Sequence, residues 1–439
     1  MRSIAPWRAA ALAVGAILVT GSSAAVAAQE LPGGGALTLA ELLARVEERN
    51  PQLQAMRAGA QAAALRRPTA STLPDPVLQL GVMNVGVPGL ETNMPSSMVP
   101  SVQLMQMVPF PGKLGLMGEI ASLDEDIARS SADEMRWEVR EMAAGMFYEL
   151  YALDRRTEVM RETLSLLSDF QQVARAMYAS GMGRQADVLR AEVEVARMDG
   201  EIRTMEAMRV AMAARLNGLL DLPAETPVPS PTLGRLPAEL PSADTLRAWA
   251  ADSRPLLAKG RRGVDRARSA VTLAKRELWP DVTVGLSYGQ RPGAMGTERM
   301  GSAMIGFSLP VFASRRQYAM RDEAMAMERM AEAELGSSEA EVGARVGELL
   351  AELERARSLT VLYRDEVLPQ ARATVQSAFT SYRVGNVDFM TLVDAQMTVN
   401  QYQGELFQLL ADYGKALAAL ESTVGQPIPD SGEILSEVR

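Results

Sequence analysis

From Met146 the chain places its apolar residues at alternating spacings of four and three, through Leu150, Leu153, Thr157, Met160, Leu164, Leu167, Gln171, Ala174 and Tyr178. The pattern stops at Gly181-Met182-Gly183 and resumes through Val188, Ala191, Val195, Met198, Ile202, Met205, Met212, Leu216 and Leu219. A sustained 3.5-residue repeat specifies supercoiled helix packing, and glycines between two such runs predict an antiparallel helical hairpin. The same pattern returns with Val342, Val346, Leu349, Leu353 and Ala356, a turn at Gly385, and Phe389, Leu392, Val399, Leu406, Leu410, Tyr413, Leu417 and Leu420. At about 1.5 Å per residue, a helix from Lys113 to Tyr178 spans on the order of 100 Å.

Before each long hairpin the period changes to two. Val282, Val284, Leu286 and Tyr288 interleave with Thr283, Gly285, Ser287 and Gly289, and Ala303, Ile305, Phe307 and Leu309 with Ser302, Met304, Gly306 and Ser308. Such alternation predicts strands with one apolar and one polar face. The first half has counterparts near Val77–Val85 and Ser101–Val108, and the Gly/Pro-rich stretches 86–97 and 290–300 read as hairpin loops. Each pair of strands follows a shorter helix, roughly Thr38–Arg67 in one half and Ala243–Leu278 in the other.

The two halves are repeats. Tyr178, Gly181, Leu216, Pro223 and Pro51 recur 204 residues later as Tyr382, Gly385, Leu420, Pro427 and Pro255, while Pro74-Asp75 recurs as Pro280-Asp281 and Pro109 as Pro310. Six prolines between Pro223 and Pro241 exclude a helix or central strand there. The expected organisation is a leader at 1–28, repeat 1 at 29–222 (strand hairpin near 75–108, helical hairpin 113–220), and a Pro-rich linker at 223–242. Repeat 2 follows at 243–428 (strand hairpin near 281–311, helical hairpin 315–425), with a tail at 429–439.

Composition narrows the chemistry. The chain has 439 residues with neither Cys nor His, so thiol nucleophiles, disulfides, the usual zinc sites and His-based acid–base catalysis are excluded. Carboxylates are abundant, but no motif pairs them, so no catalytic, cofactor or metal residue is assigned. A net charge of −9 argues against nucleic acid. Arg2 and Arg8 precede an apolar run from Ala9 to Val19, and Val26-Ala27-Ala28 supplies small residues for cleavage, the pattern of an export signal. Any membrane span is therefore β-type. Four strands per chain cannot close a barrel, whereas three copies supply twelve. The expected fold is mainly α with a β-barrel portion: two repeats whose coiled-coil hairpins form an α-barrel, and four strands per chain in a trimeric transmembrane β-barrel.

In MYASGMGRQADVL at 177–189, SYRVGNVDFMTLVD at 381–394 and VPFPGKLGL at 108–116, the chain resembles the TolC family of outer-membrane efflux channels, the last segment being most like its heavy-metal branch. The resemblance covers roughly residues 37–428. It implies a homotrimer in outer-membrane lipid, continuing into a periplasmic helical tunnel that docks on a periplasmic adaptor and an inner-membrane RND-type pump. The channel itself would need no cofactor. Gly181 and Gly385 match the tip glycines, and Arg184, Arg383, Val384 and Asn386 beside them become candidate adaptor contacts. Asp187 and Tyr382 match a pair that in the family holds the periplasmic aperture closed. Val387 stands where the family places Arg or Lys, leaving the charged half of that lock without its cation. Asp394 matches one of two acidic positions ringing the aperture, and Thr391 occupies the other.

Methionine is plentiful (27 residues) and its thioether suits Cu(I), but flexible Met also fills helix seams, and seam packing is the expectation for Met205 and Met212. Pro369 is expected to interrupt and bend a long helix. The rival functional class is a soluble periplasmic coiled-coil adaptor or scaffold, which shares the heptads but needs no lipid-length strands.

Overall fold

A computed structural model describes residues 35–83, 99–237, 239–293, 296–429 and 434–435; the expected leader, the 86–97 loop and most of the tail lie outside the described residues. Where one helix was expected ahead of each strand pair, there are two. Helices α1 (Leu39–Arg49) and α2 (Pro51–Ala70) break at Asn50-Pro51. The proline ring bars its predecessor from the helical region, and Asn50 sits at ψ 121°. Pro51 then opens α2 as a favoured first residue, with the Leu53 N–H capped by Asn50 Oδ1 at 3.0 Å. Repeat 2 makes the same break at Arg254-Pro255.

Strands β1 (Val77–Met83) and β2 (Val99–Val108) lead into α3 (Lys113–Ala179), a 67-residue helix that returns as α4 (Gln185–Leu219). After the two-residue strand β3 (Leu236–Pro237), repeat 2 runs α5 (Ala243–Ser253), α6 (Pro255–Arg276), β4 (Val282–Gly293), β5 (Gly296–Phe307) and α7 (Gln317–Leu362). A π-helical turn (Tyr363–Val367) precedes α8 (Leu368–Arg383) and α9 (Phe389–Val424), and β6 (Ile434–Leu435) ends the described chain.

One four-stranded antiparallel sheet has the order β1-β2-β4-β5, so repeat meets repeat at its centre while β1 and β5 are its edges. Register puts Leu80, Val102 and Tyr288 in one row and Leu78, Leu104, Leu286 and Ala303 in the next, a continuous apolar face. The opposite face carries Gly81, Ser101, Gly289 and, one row away, Gln79, Gln103, Ser287 and Ser302. The 290–300 stretch read as loop is strand up to Gly293 and again from Gly296. Among the described residues the β2–β4 pairing stops at Ser101 opposite Gly289, so beyond it β4 is an edge, where Pro292 costs no ladder bond.

Among the described residues the helices enclose two large apolar cores and a small third one of Ala250, Leu257 and Val342. The mid-height core packs Phe147, Leu150 and Tyr151 of α3 against Leu349 and Leu353 of α7 and Leu410 and Tyr413 of α9. The second, near the hairpin tips, joins Leu167, Phe170, Met198, Tyr382, Phe389 and Leu392. Close approach of α3 and α9 depends on Gly414, since a Cβ there would lie 2.4 Å from the Tyr148 ring. Gly414→Ala is therefore expected to destabilise the helical domain by about 1–3 kcal/mol through overpacking, measured as a lowered thermal midpoint of helical circular dichroism.

Two expectations gain detail. The Pro369 interruption takes the form of the π turn: proline has no N–H for the Asp365 carbonyl and its ring crowds it, and the wider turn lets the Leu368 N–H reach Tyr363 O. The Pro-rich segment is docked rather than free. Val228 and Leu236 are buried in the mid-height core. Asn217 Nδ2 donates to Thr226 O at 2.8 Å, Arg209 to Val228 O at 3.1 Å, and the buried Tyr413 hydroxyl to Pro237 O. Burial pushes that phenol up to about 12, so it stays a donor. Strand β3 pairs with β6, tying the C-terminal segment to the same belt.

Candidate functional site

Both hairpin tips reverse by the same device. Gly181 and Gly385 each sit at φ 75°, the left-handed region that glycine enters without strain. In the first, Met182 N–H donates to Met177 O (2.9 Å) and Gly181 N–H to Tyr178 O (3.0 Å); in the second, Asn386 N–H donates to Ser381 O and Gly385 N–H to Tyr382 O, both at 2.9 Å. Each is a Schellman cap that satisfies the last carbonyls of a helix. Arg184, Arg383, Val384 and Asn386 are exposed around these reversals.

Asp187 and Tyr382 are brought together. Asp187 lies in the first turn of α4 and Tyr382 in the last turn of α8, and both are buried. Burial, then the neighbouring carboxylates of Asp187 and Asp388, raise the Tyr382 phenol above its ordinary value. The Tyr382 Oη is buried with no hydrogen-bond partner among the described residues. What holds Tyr382 is its ring, edge-on to Phe389 at 5.5 Å within the tip core. Val387 packs against that core. A different ion pair crosses between the hairpins: Arg190 of α4 lies 4.0 Å from Asp388. Sequence reading missed both partners because each is an unexceptional charge on its own helix.

Asp394 and Thr391 are exposed, one turn apart on α9. They sit on α9, whereas Asp187 belongs to α4 and Tyr382 to α8.

At the opposite end, where the sheet meets the helices, the Pro-Gly-Lys motif has a structural account. Gly112 adopts φ 87°, and Lys113 turns inward with its side chain 3% exposed. Its Nζ lies 2.9 Å from Asp281 Oδ1, 3.1 Å from Glu277 Oε2 and 3.3 Å from Trp279 O. Phe110 N–H donates to Asp281 Oδ1 at 2.8 Å, and its ring stacks on Trp279 at 5.3 Å. One lysine thus fastens repeat 1 to repeat 2 below the sheet. The motif was visible in sequence, but its partners, 164 to 168 residues away, were not.

No group of three or more acidic residues among the described residues could hold a metal ion. Met205 and Met212 pack against the two cores as expected, whereas Met107, Met304, Met327 and Met330 are exposed in the single chain. No helix among the described residues is long and apolar enough to cross a membrane, yet Leu80, Leu286, Ile305 and Phe307 of the sheet face solvent.

Residues 247–426 match the family described as outer membrane efflux protein. The cobalt-zinc-cadmium resistance protein CzcC of Cupriavidus metallidurans is 22% identical over 361 residues, covering 81% of this chain and 82% of that protein. The outer membrane protein VceC of Vibrio cholerae shares the fold with a TM-score of 0.74 at 16% identity over 89% of this chain and 96% of its own. CusC does so with a TM-score of 0.72 at 14% identity, over 88% and 92%. Members of this family are channels rather than enzymes. Repeat 2 thus matches the outer membrane efflux protein family, repeat 1 has the same order of elements, and the chain shares the fold of solved outer-membrane channels along most of its length.

Proposed function

We propose that three copies form a passive export duct, closed at the helical tips until a periplasmic adaptor and an inner-membrane RND-type pump engage it, and that its cargo is metal cations. The observation that carries the reading is a sheet with two bare edges and an apolar face. Every neighbour in β1-β2-β4-β5 is antiparallel, so β5 of one copy can pair with β1 of the next without breaking the alternation. In lipid an unpaired edge strands its backbone groups, and closure removes it. Two copies would give eight strands, an interior that side chains just fill; three give twelve and leave a passage lined by the face that carries Ser, Gln and Gly together with Met105, Met107, Met300 and Met304. The 12-residue strands β4 and β5 exceed the roughly 9–11 residues a tilted strand needs to cross a bilayer.

The metal cargo is supported by the CzcC relationship and the Pro-Gly-Lys segment. The exposed residues around Gly181 and Gly385 are the proposed adaptor contacts, and Asp394 the proposed selectivity ring. Three copies of Asp394 about one axis attract cations. Asp394→Asn is expected to reduce cation over anion preference, read as a reversal potential moved toward zero under a salt gradient in planar bilayers; an unmoved potential sinks the ring. Deleting the gene is expected to raise cellular cobalt, zinc or cadmium and lower tolerance to it, while unchanged metal content removes the cargo assignment. Outer-membrane fractions should yield a heat-modifiable trimer, and a monomer soluble without detergent would remove the duct.

A further inference from the structure

The junction built by Phe110, Lys113, Trp279 and Asp281 has an incomplete second copy in every chain. After β2, Lys113 N–H donates to Phe110 O at 3.0 Å; after β5, Arg315 N–H donates to Phe312 O at 3.0 Å. A turn closed by this N–H to carbonyl bond therefore sets an aromatic ring and, three residues later, a cation beyond each of the two outgoing strands, with left-handed Gly112 in the first turn and Ser314 in the second. On the incoming side, Pro280-Asp281 before β4 is matched by Pro74-Asp75 before β1, with Leu73 in the place of Trp279.

In the centre of the sheet these two sides meet because β2 and β4 are neighbours. At the edges they do not. Phe312 is 75% exposed and Leu73 44% exposed. Among the described residues Arg315 has no carboxylate and Asp75 no cation, both lying exposed on opposite edges of the sheet.

We propose that Phe312 and Arg315 of one copy dock on Leu73, Pro74 and Asp75 of the next, so that an Arg315–Asp75 ion pair fastens neighbouring subunits as Lys113–Asp281 fastens the two repeats. The proposal rests on the trimeric reading and adds to it the residues of one interface. The occupant is fixed by the repeat: a second copy brings β5 beside β1 and supplies both missing halves together. Arg suits the site because its planar fork meets a carboxylate with two parallel bonds. Ser71 stands where Glu277 stands in the centre, so the subunit junction carries one carboxylate rather than two.

The chain lacks Cys, so introduced pairs report without a background. Asp75→Cys with Arg315→Cys, treated with a short bismaleimide in purified outer membranes, should give covalent dimer and trimer on denaturing gels, and each single variant neither. A trimeric mass in detergent without that ladder overturns the contact and leaves the trimer standing; a monomeric mass overturns both. In a second measurement, Asp75→Arg or Arg315→Asp alone should lower the temperature at which SDS dissociates the trimer by several degrees, and the two together should recover most of the loss. A swap no better than the worse single variant overturns the ion pair.

Discussion

Replacing Lys113 with Met is expected to lower the stability of the chain by about 3 kcal/mol, near the lower bound for breaking a buried ion pair from one side. The ammonium is almost wholly enclosed and contacts three oxygens within 3.3 Å. Methionine fills the space and leaves Glu277 and Asp281 facing each other without the cation. These carboxylates are 37% and 23% exposed, so water recovers part of the loss, which keeps the figure from reaching the upper bound. Asp281 holds the Phe110 N–H as well, so its repulsion from Glu277 loosens the turn that aims α3. The check is a thermal or denaturant midpoint for Lys113→Met, Asp281→Asn and the double variant. Coupling requires the double variant to lose less than the sum of the singles, and simple additivity would show that the contact contributes nothing as a pair.

Tyr382→Ala is expected to open the resting channel, and Tyr382→Phe to leave it closed. The ring is nearly fully buried in the tip core against Phe389, and its removal leaves a cavity costing about 3–5 kcal/mol in a region where the two hairpins meet. Among the described residues the buried hydroxyl has no hydrogen-bond partner, so Phe forfeits no bond within the chain. A tether through the hydroxyl, the expectation carried by the family resemblance, makes the opposite prediction: Phe should open the channel as Ala does. Single-channel conductance of the reconstituted protein separates the two, with Asp187→Ala as a companion that moves conductance only if the carboxylate itself holds the closed state.

What was legible in the sequence follows from how local each signal is. Heptads such as Leu150-Leu153-Thr157-Met160 and the alternation of Val282 to Tyr288 depend on the chain's own period, and they locate the long helices and strands. Pro51 and Pro255 were visible as a repeat, but their effect on Asn50 and Arg254 is a backbone restriction that an apolar stripe does not register, and so each paired helix reads as one. Arg291-Pro292-Gly293 has loop composition, and only the end of the β2–β4 pairing at Gly289 among the described residues makes it a permitted edge strand. At the candidate site the tip glycines were marked by the repeat, whereas Asp187 and Tyr382 were named as a pair through the family resemblance alone. Glu277 and Asp281 around Lys113, the Arg190–Asp388 pair and the docking of Pro237 on Tyr413 were not legible, since each joins residues far apart in the chain.

The two repeats differ in one mechanical respect. Helix α3 runs from the sheet to its tip without interruption, while its counterpart in repeat 2 is divided by the π turn at Tyr363–Val367. Repeat 1 is thus a strut and repeat 2 a jointed arm. From Val367 to Gly385 the arm is about 27 Å long at 1.5 Å per residue, so a bend of roughly ten degrees at the joint sweeps its tip through about 5 Å. Were the joint to bend, a slight adjustment at mid-height would become a wide displacement at the tip of the hairpin that carries Tyr382, Asp394 and Gly385.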